Sequence, residues 1–332
     1  MQSPKASKMI LTYKLINKTG TLPVNFFVAH KSGILSVENI KKGAKKMETK
    51  RYPLTEEVDG VDGYVEISKG RQKFVMKDGK KIAPSAFMSY GMDEIFFPDS
   101  LEEIGNTSFI HCWRLKTIHF GRNIKTIGDM VFLGCKRLNS IVLPESVETI
   151  GVFSFPYVDE MTVHHMPEGL MRAFVSHADD IRRGSAYTVK LNVGDSSILI
   201  PKNTMSITAA GMQRLAERYL NDEEQKGLLF QHAVNKKYRV MCAAEMYAAY
   251  TKNEGAKEFL KENGKDAILY LSENVPLLAR LLRDDVFGRD AVAEAFDVVQ
   301  SGNGNTMLKA YLLQSLHDGD AEKDVQNIQL SI

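Results

Sequence analysis

Three consecutive segments of the sequence repeat with a period of 23 residues, beginning at Ile95, Ile118 and Ile141. They read IFFPDSLEEIGNTSFIHCWRLKT, IHFGRNIKTIGDMVFLGCKRLNS and IVLPESVETIGVFSFPYVDEMTV. A unit of this length is too small to bury its own apolar side chains and must bury them against its neighbours. The repetition therefore predicts a solenoid in which equivalent residues of successive copies stack in columns.

Apolar residues and glycines recur at fixed positions of the repeat. The predicted core columns are Leu101, Ile124 and Val147; Ile104, Ile127 and Ile150; Phe109, Phe132 and Phe155; Cys112, Cys135 and Val158; and Leu115, Leu138 and Met161. At Gly105, Gly128 and Gly151 we expect a backbone conformation that a Cβ atom would hinder. Degenerate copies of the repeat at both ends extend the predicted array to about 73–180.

The phrases IGNTSFIHCWRLKTIHF and LPESVETIG resemble the BspA-type leucine-rich repeat. The resemblance covers about a third of the chain. It implies short parallel strands stacked into a curved β-solenoid, with loops and short helical turns between them. It also implies a binding or adhesion surface, the common role of this family in bacteria and some protists. The third copy departs from the pattern at FSFPYV, which indicates that the array is ending.

The segments on either side of the repeat have different periodicities. Residues 9–75 alternate apolar and polar side chains, as short strands do, whereas apolar residues recur at helical spacing from 206 onwards. We therefore predict an α+β multidomain fold, in which the leucine-rich-repeat β-solenoid lies between a β-rich region and an all-α helical-repeat domain. The predicted divisions are a small β-rich N-terminal domain (1–72), the solenoid (73–180), a β connection (181–205), the helical domain (206–317) and a flexible tail (318–332).

A second repetition lies within the helical domain. The segments NVPLLARLL at 274–282 and NTMLKAYLL at 305–313 match at a spacing of 31 residues. Short helix pairs that end in Leu-Leu at this spacing resemble degenerate ankyrin-type repeats. A generic helical bundle is the alternative interpretation.

Side chains that point outward from the predicted strands are not required by the core. Three outward columns follow from the period: Asp93, Lys116, Asn139 and Thr162; Glu94, Thr117, Ser140 and Val163; and Phe96, His119, Val142 and His165. The last column mixes aromatic, imidazole and aliphatic groups, a composition that favours contact with a protein partner. The alternative is that these side chains only cover the sheet.

Residues typical of catalysis, cofactor binding or metal binding do not form a recognised pattern. Cys112 and Cys135 lie one repeat apart and are interpreted as small buried groups of the core. His164, His165 and His177 lack a metal-ligand spacing. The lysine-rich run at 41–51 has no aromatic residues for stacking bases, so nucleic acid is not an expected partner. We expect no catalytic residue, no cofactor and no metal.

The functional prediction is a non-catalytic scaffold for protein–protein interaction that presents the outward strand face. The alternatives are a bacterial surface or secreted adhesin and an enzyme with its site between domains. No apolar segment approaches the roughly 20 residues that span a bilayer, and the N-terminus lacks the apolar run of a signal peptide. These features predict a cytoplasmic location, or a secreted or surface one if the true N-terminus lies upstream.

Overall fold

The structure is a computed structural model that describes residues 28–29, 34–35, 50–53, 62–68, 70–174, 186–204, 208–250, 253–301 and 306–329. The chain divides into two units, Met1–Lys46 and Met47–Ile332. In the first unit, β1 (Val28–Ala29) and β2 (Ile34–Leu35) form an antiparallel pair. The lysine-rich run at 41–51 lies outside the described residues, except for its last two positions.

The second unit contains a β-solenoid followed by helices, as the sequence predicted. Its strands in chain order are β3 (Lys50–Pro53), β4 (Asp62–Ser68), β5 (Arg71–Asp78), β6 (Lys81–Ile82), β7 (Glu94–Phe96), β8 (Glu103–Ile104), β9 (Thr117–His119), β10 (Thr126–Ile127), β11 (Ser140–Val142), β12 (Thr149–Ile150), β13 (Glu160–Val163), β14 (Thr188–Val193) and β15 (Ser196–Pro201).

Two sides of the solenoid carry parallel ladders. On one side β6, β8, β10 and β12 pair in succession. On the other side β5, β7 and β9 form one parallel run, and β11, β13 and β14 form another. Antiparallel strands complete both ends, because β3 and β4 extend the run that contains β5, and β15 pairs with β14. These added strands cover edges that would otherwise be open to other chains.

Phenylalanine rings run through the core and set the distance between successive turns. Phe87, Phe109, Phe132 and Phe155 stack with centroid distances of 5.2, 5.6 and 5.3 Å. Each ring is at most 1% exposed. The thiol of Cys112 donates to the carbonyl of Phe87, and that of Cys135 donates to the carbonyl of Phe109. The predicted Phe column and the interpretation of these two cysteines as buried core groups are therefore confirmed.

The repeated glycine has a different cause from the one predicted. A Cβ atom at Gly128 would lie 2.8 Å from the backbone nitrogen of Asn106, and one at Gly151 would lie 2.4 Å from that of Asp129. The glycines therefore allow close approach of neighbouring turns. The left-handed conformation occurs two residues later, at Thr107, Met130 and Phe153, with φ between 52° and 56°.

The last copy of the repeat is three residues shorter than the 23-residue period predicts. Strand β13 pairs with β11 so that Met161 lies beside Ile141, only 20 residues along the chain. The residues are lost in the cysteine turn. The backbone N–H of Val158 donates to the carbonyl of Phe155, as that of Cys135 does to Phe132. Strand β13 then begins two residues after Val158, whereas β11 begins five residues after Cys135. The predicted column that placed Met161 with Leu138 is therefore wrong, whereas Val158 makes the backbone bond of the cysteine column.

The helices in chain order are α1 (Leu170–Ala173), α2 (Ala209–Tyr219), α3 (Lys236–Ala249), α4 (Glu254–Glu262), α5 (Gly264–Tyr270), α6 (Val275–Arg283), α7 (Arg289–Ser301) and α8 (Thr306–Gln329), with 3₁₀ helices at Gln225–His232 and Leu271–Glu273. Asn235, Asn253 and Asn274 cap α3, α4 and α6 through their side-chain oxygens. The backbone of α8 is helical over 318–329, where the sequence predicted a flexible tail. Among the described helices, none has the length and apolar composition needed to cross a membrane.

Charged side chains join the end of the solenoid to the helical domain. Lys202, with its side chain 2% exposed, lies 2.7 Å from the carboxylate of Asp159, at the start of the last solenoid rung. The Glu245 carboxylate on α3 accepts bonds from the backbone of Tyr187 and from the backbone and hydroxyl of Thr188. Burial raises the pKa of Glu245, and these hydrogen bonds oppose the rise. We call these five residues the polar junction.

We expect Phe109→Ala to destabilise the protein by about 3–5 kcal/mol, because it leaves a cavity between two stacked rings. The matched control is Phe96→Ala, which removes the same side chain from the partly buried surface of β7. Urea unfolding of both variants measures the difference. Equal losses of unfolding free energy would contradict the role given to the ring stack.

We expect Asp159→Asn to cost roughly 3 kcal/mol, because it leaves the Lys202 ammonium buried without its carboxylate. The control is Glu160→Gln, which breaks the neighbouring ion pair with Lys190. The side chains of Lys190 and Glu160 are 49% and 47% exposed. That change should cost less than about 1 kcal/mol. Thermal unfolding at fixed pH compares the two, and a larger loss in the control would refute the account of the junction.

Candidate functional site

The outward side chains of six parallel strands form a surface that we call the strand face. The strand registers and the repeat period place them in two rows. The first row is Lys73, Glu94, Thr117, Ser140, Glu160 and Lys190, and the second is Val75, Phe96, His119, Val142, Thr162 and Asn192. Six of the eleven predicted site residues keep their predicted place in these rows: Glu94, Phe96, Thr117, His119, Ser140 and Val142. Thr162 also lies in the rows, but in a different row from the one predicted.

The shortened last copy moves the predicted positions at the C-terminal end of the face. Thr162 lies beside Val142 instead of continuing the column of Asn139. Val163 is 2% exposed and belongs to the core. His165 is exposed and follows the end of β13, so it lies outside both rows. A strict 23-residue period cannot place these residues correctly, because three residues are missing before β13.

Asp93 was predicted to point outward, and the structure instead buries it. The residue is 8% exposed. Its carboxylate accepts two bonds from the guanidinium of Arg114, at 3.2 and 2.7 Å, and one from the backbone nitrogen of Gln72. Asp93 therefore holds the start of β7 in place. The equivalent residues Lys116 and Asn139 are exposed at the starts of the next two rungs.

Ion pairs close both ends of the strand face. Lys73 lies 3.4 Å from Glu94 at one end, and Lys190 lies 3.1 Å from Glu160 at the other. The amide of Asn192 also donates to Glu160. Hydrogen bonds from Asn192 and Lys190 lower the pKa of Glu160. These carboxylates are neutralised within the face itself.

The middle of the face is formed by Thr117, His119, Ser140 and Val142, which we call the middle patch. The imidazole of His119 stacks on the ring of Phe96, with a centroid distance of 4.1 Å and planes 7° apart. Val142 is 64% exposed, and the other three residues are also exposed. The patch thus combines an imidazole that is stacked on Phe96, an aliphatic group and two hydroxyl groups.

The strand ladder is interrupted in the middle patch. Strand β9 ends the five-stranded sheet and β11 begins the next one. Among the described residues, no backbone hydrogen bond joins 116–120 to 139–143. Ile118 is only half-buried, whereas the equivalent Ile95 and Ile141 are 0% and 5% exposed. Sequence reasoning missed this opening, because the repeat is as regular at this step as at the preceding one.

Outside the strand face, the described residues also form a cavity and include buried thiols. A cavity of about 390 Å³ lies between α1 and α2, lined by Glu168, Gly169, Met171, Arg172, Thr208, Ala209, Ala210 and Gln213. Burial raises the pKa of the Cys135 and Cys242 thiols, which disfavours the nucleophilic thiolate. In the part of the chain that the structure describes, no three His, Cys, Asp or Glu side chains are grouped to hold a metal ion.

Comparison with known proteins identifies the repeat. Residues 76–176 match the family described as the BspA type leucine rich repeat region, in six copies. The repeat segment is BspA-like. The matched residues do not include the helical domain, so the ankyrin-type resemblance is not confirmed. No curated protein matches the chain.

Several solved structures are similar to part of the chain. A leucine rich cell surface protein from Faecalibacterium prausnitzii is 23% identical, with a TM-score of 0.28, over 35% of this chain and 38% of that one. A leucine-rich repeat protein from Bacteroides ovatus is 25% identical, with a TM-score of 0.27, over 35% and 36%. One from T. pallidum is 21% identical, with a TM-score of 0.25, over 38% and 60%. The matches thus span less than two thirds of these proteins.

Proposed function

We propose that the protein is a non-catalytic scaffold that binds a protein partner through its strand face. The observation that carries the proposal is the exposed middle patch on a surface whose backbone is fixed by stacked turns. Val142 is 64% exposed although it lies among side chains that the fold holds in regular rows. An aliphatic and aromatic surface on a rigid platform suits a protein interface, since little conformational entropy is lost on binding.

We assign no catalytic role to the protein, because its buried polar groups already bind one another within the fold. Lys202 is paired with Asp159, and the Glu245 carboxylate accepts three hydrogen bonds from β14 and the residue before it. These contacts account for the groups structurally and connect two parts of the fold. Polar groups that are held by such contacts favour a structural role over proton transfer to a substrate.

We also propose that the helical domain consists of ankyrin-type helix pairs and acts as a second interaction module. Contacts between alternate helices support this arrangement, because α5 packs on α7 and α6 packs on α8. The segments with the 31-residue spacing correspond to the starts of α6 and α8. Stacked pairs would give this domain the same one-dimensional architecture as the solenoid.

We expect Val142→Asp to weaken partner binding at least about tenfold, because it places an unpaired charge in the centre of the interface. Quantitative affinity capture from native lysate, with the intact chain as reference, measures the effect. The matched control is Lys125→Asp, an exposed position before β10 on the opposite ladder. Equal capture by the intact chain and both variants would show that the strand face is not the binding site.

A further inference from the structure

We infer that the opening between β9 and β11 receives an apolar side chain from an extended, uncharged peptide segment of the partner. This inference rests on the proposed function and specifies the chemistry of the bound segment. The slit, as we call it, has Ile118 as its floor. Thr117 and His119 form one wall, and Ser140 and Val142 form the other.

The apolar floor is the first observation behind the inference. In every other described rung of this side, the central strand residue is fully buried: Ile95, Ile141 and Met161 are at most 5% exposed. Ile118 occupies the same place in its rung and is packed against the same core, yet it is only half-buried. Solvent therefore reaches the core at this step. An apolar group that filled the slit would remove that contact with water.

The unformed ladder is the second observation. Each strand carries backbone N–H and C=O groups that are normally paired with a neighbouring strand. Strands β9 and β11 each pair on their far side, with β7 and β13, and do not pair with each other. The exposed hydroxyls of Thr117 and Ser140 lie on either side of this unpaired step, where they can bond the main chain of a peptide that crosses the two strands.

The distribution of charge selects an uncharged segment. Glu94 and Glu160 border the slit on its two sides along the first row, and each is already paired with a lysine of the face. A charged peptide residue would have to compete with these pairs or remain without a counter-charge. The exposed Lys116 lies at the rim, at the start of β9. Its contribution can be separated by the dependence of binding on salt.

The size of the site follows from the strand spacing. Three steps separate Glu94 from Glu160, which corresponds to about 14 Å at the usual distance between strands. An extended chain covers that distance with about four residues. The expected ligand is therefore a short uncharged stretch with one β-branched or aromatic residue near its centre.

Selection from a library of random linear peptides, with the full chain as bait, tests the inference. Peptides that also bind the Val142→Asp variant are removed. We expect the remaining peptides to be uncharged, to share one β-branched or aromatic residue, and to bind with little change between about 0.1 M and 1 M NaCl. Ile118→Ala should weaken their binding about tenfold, since it removes methyl and methylene groups from the floor.

Two controls make the result interpretable. Ile118→Val keeps most of the floor and should retain binding, and thermal unfolding of each variant verifies that it is folded. Selected peptides that are charged and bind in a salt-sensitive manner would show that the slit does not prefer uncharged segments. That result would not contradict binding through the strand face. Unchanged binding by folded Ile118→Ala would overturn the insertion. If every selected peptide also binds Val142→Asp, both the slit and the strand-face function are wrong.

Discussion

The stacked phenylalanine rings impose the constraint on which the rest of the structure depends. Rings in successive turns lie 5.2–5.6 Å apart, close to the usual distance between neighbouring strands. Successive turns therefore follow one another at about the spacing of paired strands. The cysteine thiols bond to the carbonyls of the preceding Phe residues, and the glycines let the turns approach. Because this stack fills the core, the outward side chains of the strands are not needed to fill it.

The first and last strands of such a stack have one edge without a neighbouring turn, and an open strand edge can pair with other chains. Antiparallel strands cover both ends in this protein. At the C-terminal end the hairpin β14–β15 is in turn held by the helical domain. The Tyr250 hydroxyl accepts a bond from the backbone of Leu199 on β15, and burial raises the pKa of Tyr250 to about 12. The polar junction adds charged contacts at the same boundary, so the helices complete the solenoid as well as following it.

The sequence predicted the features that depend on repetition. The period revealed the Phe column, the buried cysteines, and the alternation of the strands, and helical spacing located the helices after 206. It failed where one copy differs from the others. The loss of three residues between Phe155 and Glu160 moved Thr162 and His165 from their predicted places. Asp93 was misplaced because its burial depends on Arg114, which lies 21 residues away and has no sequence signal that links it to that carboxylate.

The opening between β9 and β11 is the feature that joins this architecture to a function, and the exchange of backbone amide hydrogens tests it most directly. His119, Val142 and Thr162 hold equivalent positions in three successive strands, so their amides each face the preceding strand. Residue-resolved exchange of the full chain should show the Val142 amide exchanging at least about a hundredfold faster than the other two, because it faces the slit. Equal protection of the three amides would mean that the ladder is closed, and would contradict the account.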